Sequence, residues 1–267
     1  AANSVGAQLV KALPGAGGLN AGQMLTEPMK ALLLLDVEPA HDAANAAAAQ
    51  AALAGAGLVV ALTSFQDAAV PNADVLLPIA AFTETSGSFV NAEGRLQSFT
   101  GVVKPVGEAR PAWKVLRVLG NLLGLGGFSQ ESADDVRADA LGDAATLATR
   151  LDNSSGAAIK LGAAAAGLQR LADVPIYATD ALVRRAPALQ ATADAKHAAQ
   201  ASLPSVLWQH LGLNPGDRVR VAQDGAVAVL PARLDASLAN NVVRVPAGLA
   251  ETATLGAMFG AITVEKA

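Results

Sequence analysis

Between Lys30 and Asp36 the chain reads Ala-Leu-Leu-Leu-Leu, an apolar run with no polar interruption and a charge at each end. A half-buried strand would alternate, and an amphipathic helix would space its apolar residues by three and four. A short unbroken run suits a strand covered on both faces. Leu58-Val-Val-Ala-Leu62 repeats the pattern, and Ala73-Asp-Val-Leu-Leu-Pro78 repeats it again before Pro78 stops it. An alanine-rich helix, about Asp42 to Ala54, fills the first gap and ends at Gly55-Ala-Gly57. Short buried strands joined by helices predict an α/β fold with a parallel, doubly wound sheet.

Beyond Gly107 the apolar positions 112, 113, 115, 116, 119, 122 and 123 follow helical spacing, with Pro111 at the start and Gly124 and Gly126-Gly127 at the end. Ser132 to Leu171 is Ala- and Gly-rich and helical in propensity, with Asn153-Ser-Ser-Gly156 as a loop. Thr192 to Leu203 reads as a polar, Ala-rich link. The character then changes. Gly216–Ala222, Ala226–Leu230 and Asn241–Val245 are short strands with turn residues between them. Arg218, Arg220 and Arg244 alternate with Val219, Val221, Val243 and Val245, the period-two pattern of half-buried strands. Strands this closely spaced, with no helix between them, predict a small β-barrel. The expected division is an α/β domain over 1–130, a helical connecting layer over 131–173 and an all-β domain over 174–267.

Composition removes whole classes of function. Cys is 0, so this chain supplies no disulfide, thiolate zinc site, cysteine nucleophile or iron–sulfur ligand set. A net charge of −4 gives no electrostatic footprint for nucleic acid. Hydrophobic residues make up 52%, which excludes disorder, while charged residues are only 16%, so part of the surface is expected to be hidden against something else. The uncharged stretch after Asp42, Ala43–Gln66, is long enough to span a bilayer but contains Asn45, Gln50, Gly55 and Gly57, and apart from Leu58–Leu62 it is only weakly apolar. It is read as helix, glycine break and buried strand. The start Ala-Ala-Asn-Ser has neither a leading Met nor a basic n-region, as expected of a piece cut from a longer polypeptide.

Motifs for chemistry are sparse. Gly15-Ala-Gly-Gly18 and Gly55-Ala-Gly57 are not G-x-G-x-x-G, and the second leads into a strand rather than out of one, so both are read as caps and turns. His41, His197 and His210 have no ligand-like spacing; Glu38-x-x-His41 occurs once, with Pro39 inside it. Thr85-Ser-Gly-Ser88 lacks the first glycine of a nucleophile elbow. One dense polar stretch remains, Phe82–Arg95, directly after the third apolar run, where open α/β sheets place ligands. There Glu84, Asn91, Glu93 and Arg95 offer carboxylates, an amide and a guanidinium. The alternative is a Gly-turned hairpin fixed by a Glu–Arg pair, and composition favours it.

The residues of this stretch also carry a resemblance. Ala73-Asp-Val-Leu-Leu-Pro-Ile-Ala followed by Thr83-Glu-Thr-Ser-Gly-Ser-Phe-Val-Asn-Ala-Glu-Gly-Arg-Leu-Gln97 resembles the signature of the molybdopterin oxidoreductase superfamily. Val102-Val-Lys-Pro, Gly107–Trp113 and Val115–Leu123 narrow the resemblance to the G subunits of bacterial NADH-quinone oxidoreductase, the respiratory complex I. Ile176–Gln190 is similar to the entry to that family's last domain. Leu211–Val221 and Val242–Pro246 are similar to the C-terminal barrel of the superfamily.

The resemblance implies a six-stranded, double-psi-type barrel at the C-terminus and a whole protein that relays electrons from NADH toward quinone. The 4Fe-4S and 2Fe-2S clusters of that relay belong to its N-terminal part and have no counterpart here. The resemblance implies no catalytic residue, no metal ligand and no cofactor in this segment; Glu84, Asn91, Glu93, Arg95, Arg184 and Arg185 mark a relic pocket. The implied role is a non-catalytic scaffold, with the other peripheral-arm subunits of complex I as partners. It would lie peripherally on the cytoplasmic side of the bacterial inner membrane, without inserting into it. The alternative is the C-terminal half of a genuine molybdopterin-dependent oxidoreductase such as a formate dehydrogenase.

Overall fold

A computed structural model describes residues 3–66, 72–152, 154, 156, 158–160, 162 and 165–267. The loop expected over Asn153–Gly156 lies partly outside these residues. The three apolar runs form strands β1 (Leu32–Leu35), β2 (Val59–Thr63) and β3 (Val75–Pro78), parallel and in the order β1-β2-β3. The helix expected between the first two is broken into Pro39–Asp42 and Ala46–Gly55. Asn45 makes the break, because its Oδ1 caps the second helix by accepting Ala48 N–H at 3.0 Å. Leu53 of that helix packs on Leu32, Val59 and Ala61, closing one face of the sheet. Gly57 is required where β1 and β2 converge, since a Cβ there would lie 2.8 Å from the Lys30 carbonyl oxygen.

The signature stretch folds as an antiparallel hairpin, β4 (Gly87–Val90) and β5 (Leu96–Phe99), apart from the parallel sheet. Leu9, Val90, Leu141 and Leu147 form its core, drawing in helices Ser4–Leu9 and Ala133–Leu141. The helix expected from Ala112 is present over Ala112–Leu122.

The C-terminal part holds a seven-stranded sheet of β6 (Gln169–Leu171), β7 (Ala201–Leu203), β8 (Arg218–Gln223), β9 (Ala226–Leu234), β10 (Val242–Arg244), β11 (Phe259–Ala261) and β12 (Thr263–Lys266). Its order is β11-β6-β10-β7-β9-β8-β12. The two end strands are joined through Ile262 alone, so the sheet must curl to bring its ends together. Counted by continuous chain, β11 and β12 are one stretch bent at Ile262. The expected alternation holds: Val219, Val221 and Val243 are fully buried while Arg218 and Arg220 are exposed. Asp224-Gly225, both with positive φ, make the two-residue turn between β8 and β9.

Two boundaries differ from expectation. β6 falls inside the stretch read as a helical layer, and β7 inside the stretch read as a polar link. β6 hid because its central residue, Arg170, is buried at 3% exposure and reads in sequence as a surface residue. The C-terminal part is also mixed rather than all-β. It carries short helices at Ala181–Arg184, Pro187–Gln190, Ala193–Lys196 and Ser205–His210, and β7 pairs parallel with β9. No described helix is long and apolar enough to cross a membrane.

Candidate functional site

The carboxyl ends of β1, β2 and β3 form one edge, the place where open parallel sheets bind ligands. After β1 the chain turns at Asp36, whose φ of 50° is rare for a residue with a side chain, and presents Glu38, His41 and Asp42. After β2, Thr63 Oγ1 accepts Phe65 N–H at 3.1 Å and holds the phenyl ring at the edge. After β3 come Ile79, Ala81 and Glu84.

Two arginines reach this edge from the C-terminal part. Asp180 Oδ1 caps helix Ala181–Arg184 by accepting the N–H groups of Leu182 and Val183, both at 2.9 Å. The helix ends at Arg184 and Arg185. Arg184 donates from Nε to Glu38 Oε2 at 2.9 Å, and its Nη2 lies 2.8 Å from the same oxygen. It also reaches Asp42 Oδ1 at 3.1 Å. Arg185 Nη2 lies 2.6 Å from Glu38 Oε1, a charge contact without hydrogen-bond alignment, and its guanidinium stacks 4.1 Å from the Phe65 ring centroid. Asp42 Oδ2 accepts the backbone N–H of Glu38 at 2.7 Å. His41 Nδ1 stands 3.0 Å from the Gly248 carbonyl, tying the same turn to the curled sheet.

A cavity of about 520 Å³ opens beside this cluster, with Glu38, His41, Arg184, Arg185, Tyr177 and Glu251 in its wall. Glu38 and Asp42 face the two guanidiniums, and Asp36 stands near both carboxylates. Burial, then the charges of Glu38 and Asp42, push the Asp36 carboxyl above its ordinary value of 3.8. Glu38 and Asp42 balance the two guanidiniums, Asp36 adds a further carboxyl group beside them, and an incoming anion would have to displace Glu38.

The six residues expected to mark one pocket divide into three places. Arg184 and Arg185 meet at the Glu38 cluster. Glu84 lines a second cavity of about 540 Å³ with Thr63, Pro78, Val106 and Phe65, the ring on which Arg185 stacks. Asn91, Glu93 and Arg95 sit in the β4–β5 turn. There Asn91 Oδ1 accepts the backbone N–H of Glu93 at 3.0 Å and of Arg95 at 2.9 Å. The expected carboxylate–guanidinium pair is not present among the described residues: Arg95 is exposed, and Glu84 instead accepts Ala81 N–H at 3.2 Å. An amide side chain that caps two backbone donors closes the turn without any charge.

Sequence reading weighed Glu38 only as part of Glu38-x-x-His41 and missed Asp42, although Asp36-x-Glu38-x-x-x-Asp42 directly after an apolar strand was the available signal. It also missed Arg170. Its guanidinium donates to Val245 O, Pro246 O, Gly256 O, Ala257 O and Gln223 Oε1 at 2.9–3.3 Å, with no carboxylate partner among the described residues. Burial holds it below the usual arginine value. Among the described residues no group of three His, Asp or Glu could hold a metal ion.

Residues 1–122 match the family model described as molybdopterin oxidoreductase. Over 91 residues the chain is 42% identical to the G subunit of the NADH-quinone oxidoreductase of Mycobacterium bovis, covering 33% of this chain and 11% of that protein. Over 51 residues it is 49% identical to the mitochondrial NADH-ubiquinone oxidoreductase 78 kDa subunit of Candida albicans, covering 19% of this chain and 7% of that one. A nitrate reductase of Symbiobacterium thermophilum is 36% identical over 109 residues, 40% of this chain and 14% of the relative. The chain thus spans a small part of the length of these relatives. Acetylene hydratase from Pelobacter acetylenicus shares the fold at a TM-score of 0.62 and 18% identity, over 92% of this chain and 46% of that one.

Proposed function

We propose, from the place of residues 1–122 in the molybdopterin oxidoreductase family, that this chain is a scaffold segment of the G subunit of an NADH-quinone oxidoreductase. In this reading the segment carries no catalytic residue. It packs against other subunits of the peripheral arm, on the cytoplasmic face of the bacterial inner membrane. The iron–sulfur relay belongs to polypeptide outside these residues, in keeping with a chain whose Cys count is 0.

The observation that carries the reading is the placement of Glu38 between Arg184 and Arg185. A pterin cofactor brings phosphate, and a phosphate site needs open guanidinium or backbone donors. Here the two guanidiniums are engaged by Glu38, by Asp42 and by the carbonyls of Ala178 and Ala181, and a third carboxylate, Asp36, adds charge of the wrong sign. The groups this chain brings to the edge do not fit that cofactor.

A second reading, a molybdopterin-dependent oxidoreductase of the nitrate reductase or formate dehydrogenase type, is favoured by the 109-residue match to a nitrate reductase. The two separate in native gels of gently solubilised membranes from cells carrying an epitope tag on this protein. On the scaffold reading the tag migrates with the band that oxidises NADH. Migration apart from that band, with a nitrate- or formate-dependent activity, would establish the second reading.

A further inference from the structure

The cavity beside the Glu38 cluster has a one-sided chemistry, because its fixed donors are spent within the protein. Arg184 donates to Glu38, to Asp42 and to the Ala178 carbonyl. Arg185 donates Nη1 to the Ala181 carbonyl and keeps Nη2 on Glu38. Gln190 Nε2 donates to the carbonyls of Tyr177 at 2.9 Å and Val183 at 2.8 Å. His41 carries its proton on Nδ1, because the group it faces, the Gly248 carbonyl at 3.0 Å, can only accept.

What the wall keeps for a ligand is mostly acceptors. They are Gln190 Oε1, Nε2 of the neutral His41 ring, and the exposed Glu251 carboxylate, which has no partner among the described residues. The Tyr177 hydroxyl, also in the wall, accepts as well as donates. Charge runs the same way. Glu38 and Asp42 balance the two guanidiniums, Asp36 stands beside them, Glu251 adds a further carboxylate, and no lysine among the described residues lines the cavity. Glu38 is only 4% exposed and its Oε1 accepts no hydrogen bond, so a cation in the cavity adds to what holds a buried charge. Ala195, Ala198, Ala199 and Leu249 make an aliphatic part of the wall.

We infer that this cavity of about 520 Å³ binds a primary ammonium on an alkyl chain, either a free aliphatic amine or the lysine side chain of a neighbouring polypeptide. An ammonium brings three donors and no acceptor, which is what the wall lacks, and its stem lies on the alanines. A metal ion matches less well, since among the described residues no three His, Asp or Glu side chains converge. The inference rests on the reading that no phosphate cofactor enters this edge.

Photo-labelling tests this in the native assembly, with an alkyl-diazirine primary amine as probe and mass spectrometry to locate it. The expected label falls within 38–41, 195–199 or 248–251, and n-butylamine displaces it whereas 1-butanol and butanoate do not. Glu251→Gln should weaken n-butylamine competition by about threefold, as loss of one exposed ion pair does. Ala198→Phe should abolish the label by filling the space. Labelling in the assembly assigns the site to a free amine. Labelling only of the full-length chain freed from its partners assigns it to a neighbour's lysine. A label elsewhere, no label in either form, equal displacement by 1-butanol or butanoate, or a Glu251→Gln variant that competes like the parent would overturn the inference. Pterin fluorescence from the same preparation would instead overturn the scaffold reading on which it rests.

Discussion

Arg184 and Glu38 meet through two contacts to one carboxylate oxygen, at 2.9 and 2.8 Å, across 146 positions of sequence, and both side chains are at most 10% exposed. This pair joins the parallel sheet to the curled one. Removing either partner of a buried pair leaves a charge without compensation, at about 3–5 kcal/mol; the remaining Arg185 contact moderates the loss here. Arg184→Met is expected to destabilise the protein by about 3 kcal/mol. A double-mutant cycle with Glu38→Gln should give a coupling of about 1–3 kcal/mol in urea titrations.

Asp36 gives a pH dependence of defined sign. Its folded-state value lies above 3.8, so the folded state holds the proton more tightly than the unfolded chain. Its ionisation therefore opposes folding, increasingly as pH rises from 3.8 through the folded-state value and fully above it. Asp36→Asn, which keeps a residue tolerant of positive φ, should be more stable than the parent at pH 7. That advantage should shrink as pH falls toward 3.8, read from denaturation midpoints at several pH values.

Arg170 spends its donors on four backbone carbonyls and Gln223. Arg170→Met strands these acceptors inside the curled sheet, at about 1–3 kcal/mol for each one left dry. A loss of at least ~3 kcal/mol is expected. Arg170→Lys should recover little, because an ammonium cannot reproduce the planar fork.

At the β4–β5 turn the amide, not the charge, sets stability. Asn91→Ala removes the acceptor of two backbone donors and should cost about 1 kcal/mol. Arg95→Ala should stay within about 0.5 kcal/mol of the parent, as surface substitutions do. Thermal melts of the two variants compare them directly.

What could be read in the sequence follows from which residues report their own surroundings. Leu32–Leu35, Val59–Thr63 and Val75–Pro78 announced a parallel sheet as unbroken apolar runs. The expected burial on both faces is not met among the described residues, where Leu33 is 49% exposed, Leu35 45% and Val75 41%. Val219 and Val221 announced half-buried strands by alternating with arginines. The superfamily resemblance in Ala73–Gln97 is borne out by the family match over residues 1–122. β6 was illegible because its burial rests on Arg170, whose solvation is replaced by carbonyls up to 87 positions away. The Glu38 cluster was half legible. Arg184 and Arg185 were marked through the family resemblance as pocket residues, but their partners belong to a turn that only tertiary packing brings near. The pairing expected for Arg95 failed because a local amide satisfied the turn first.

Whether this edge is a self-neutralised scaffold or a pterin site is decided by metal and cofactor content. The protein is purified in its native assembly, molybdenum is counted by mass spectrometry, and the denatured extract is read for pterin fluorescence. With Glu38 holding both arginines, neither is expected above background in a preparation that oxidises NADH. About one molybdenum and its pterin per chain, lost on mutation of Arg184 or Arg185, would contradict the scaffold assignment.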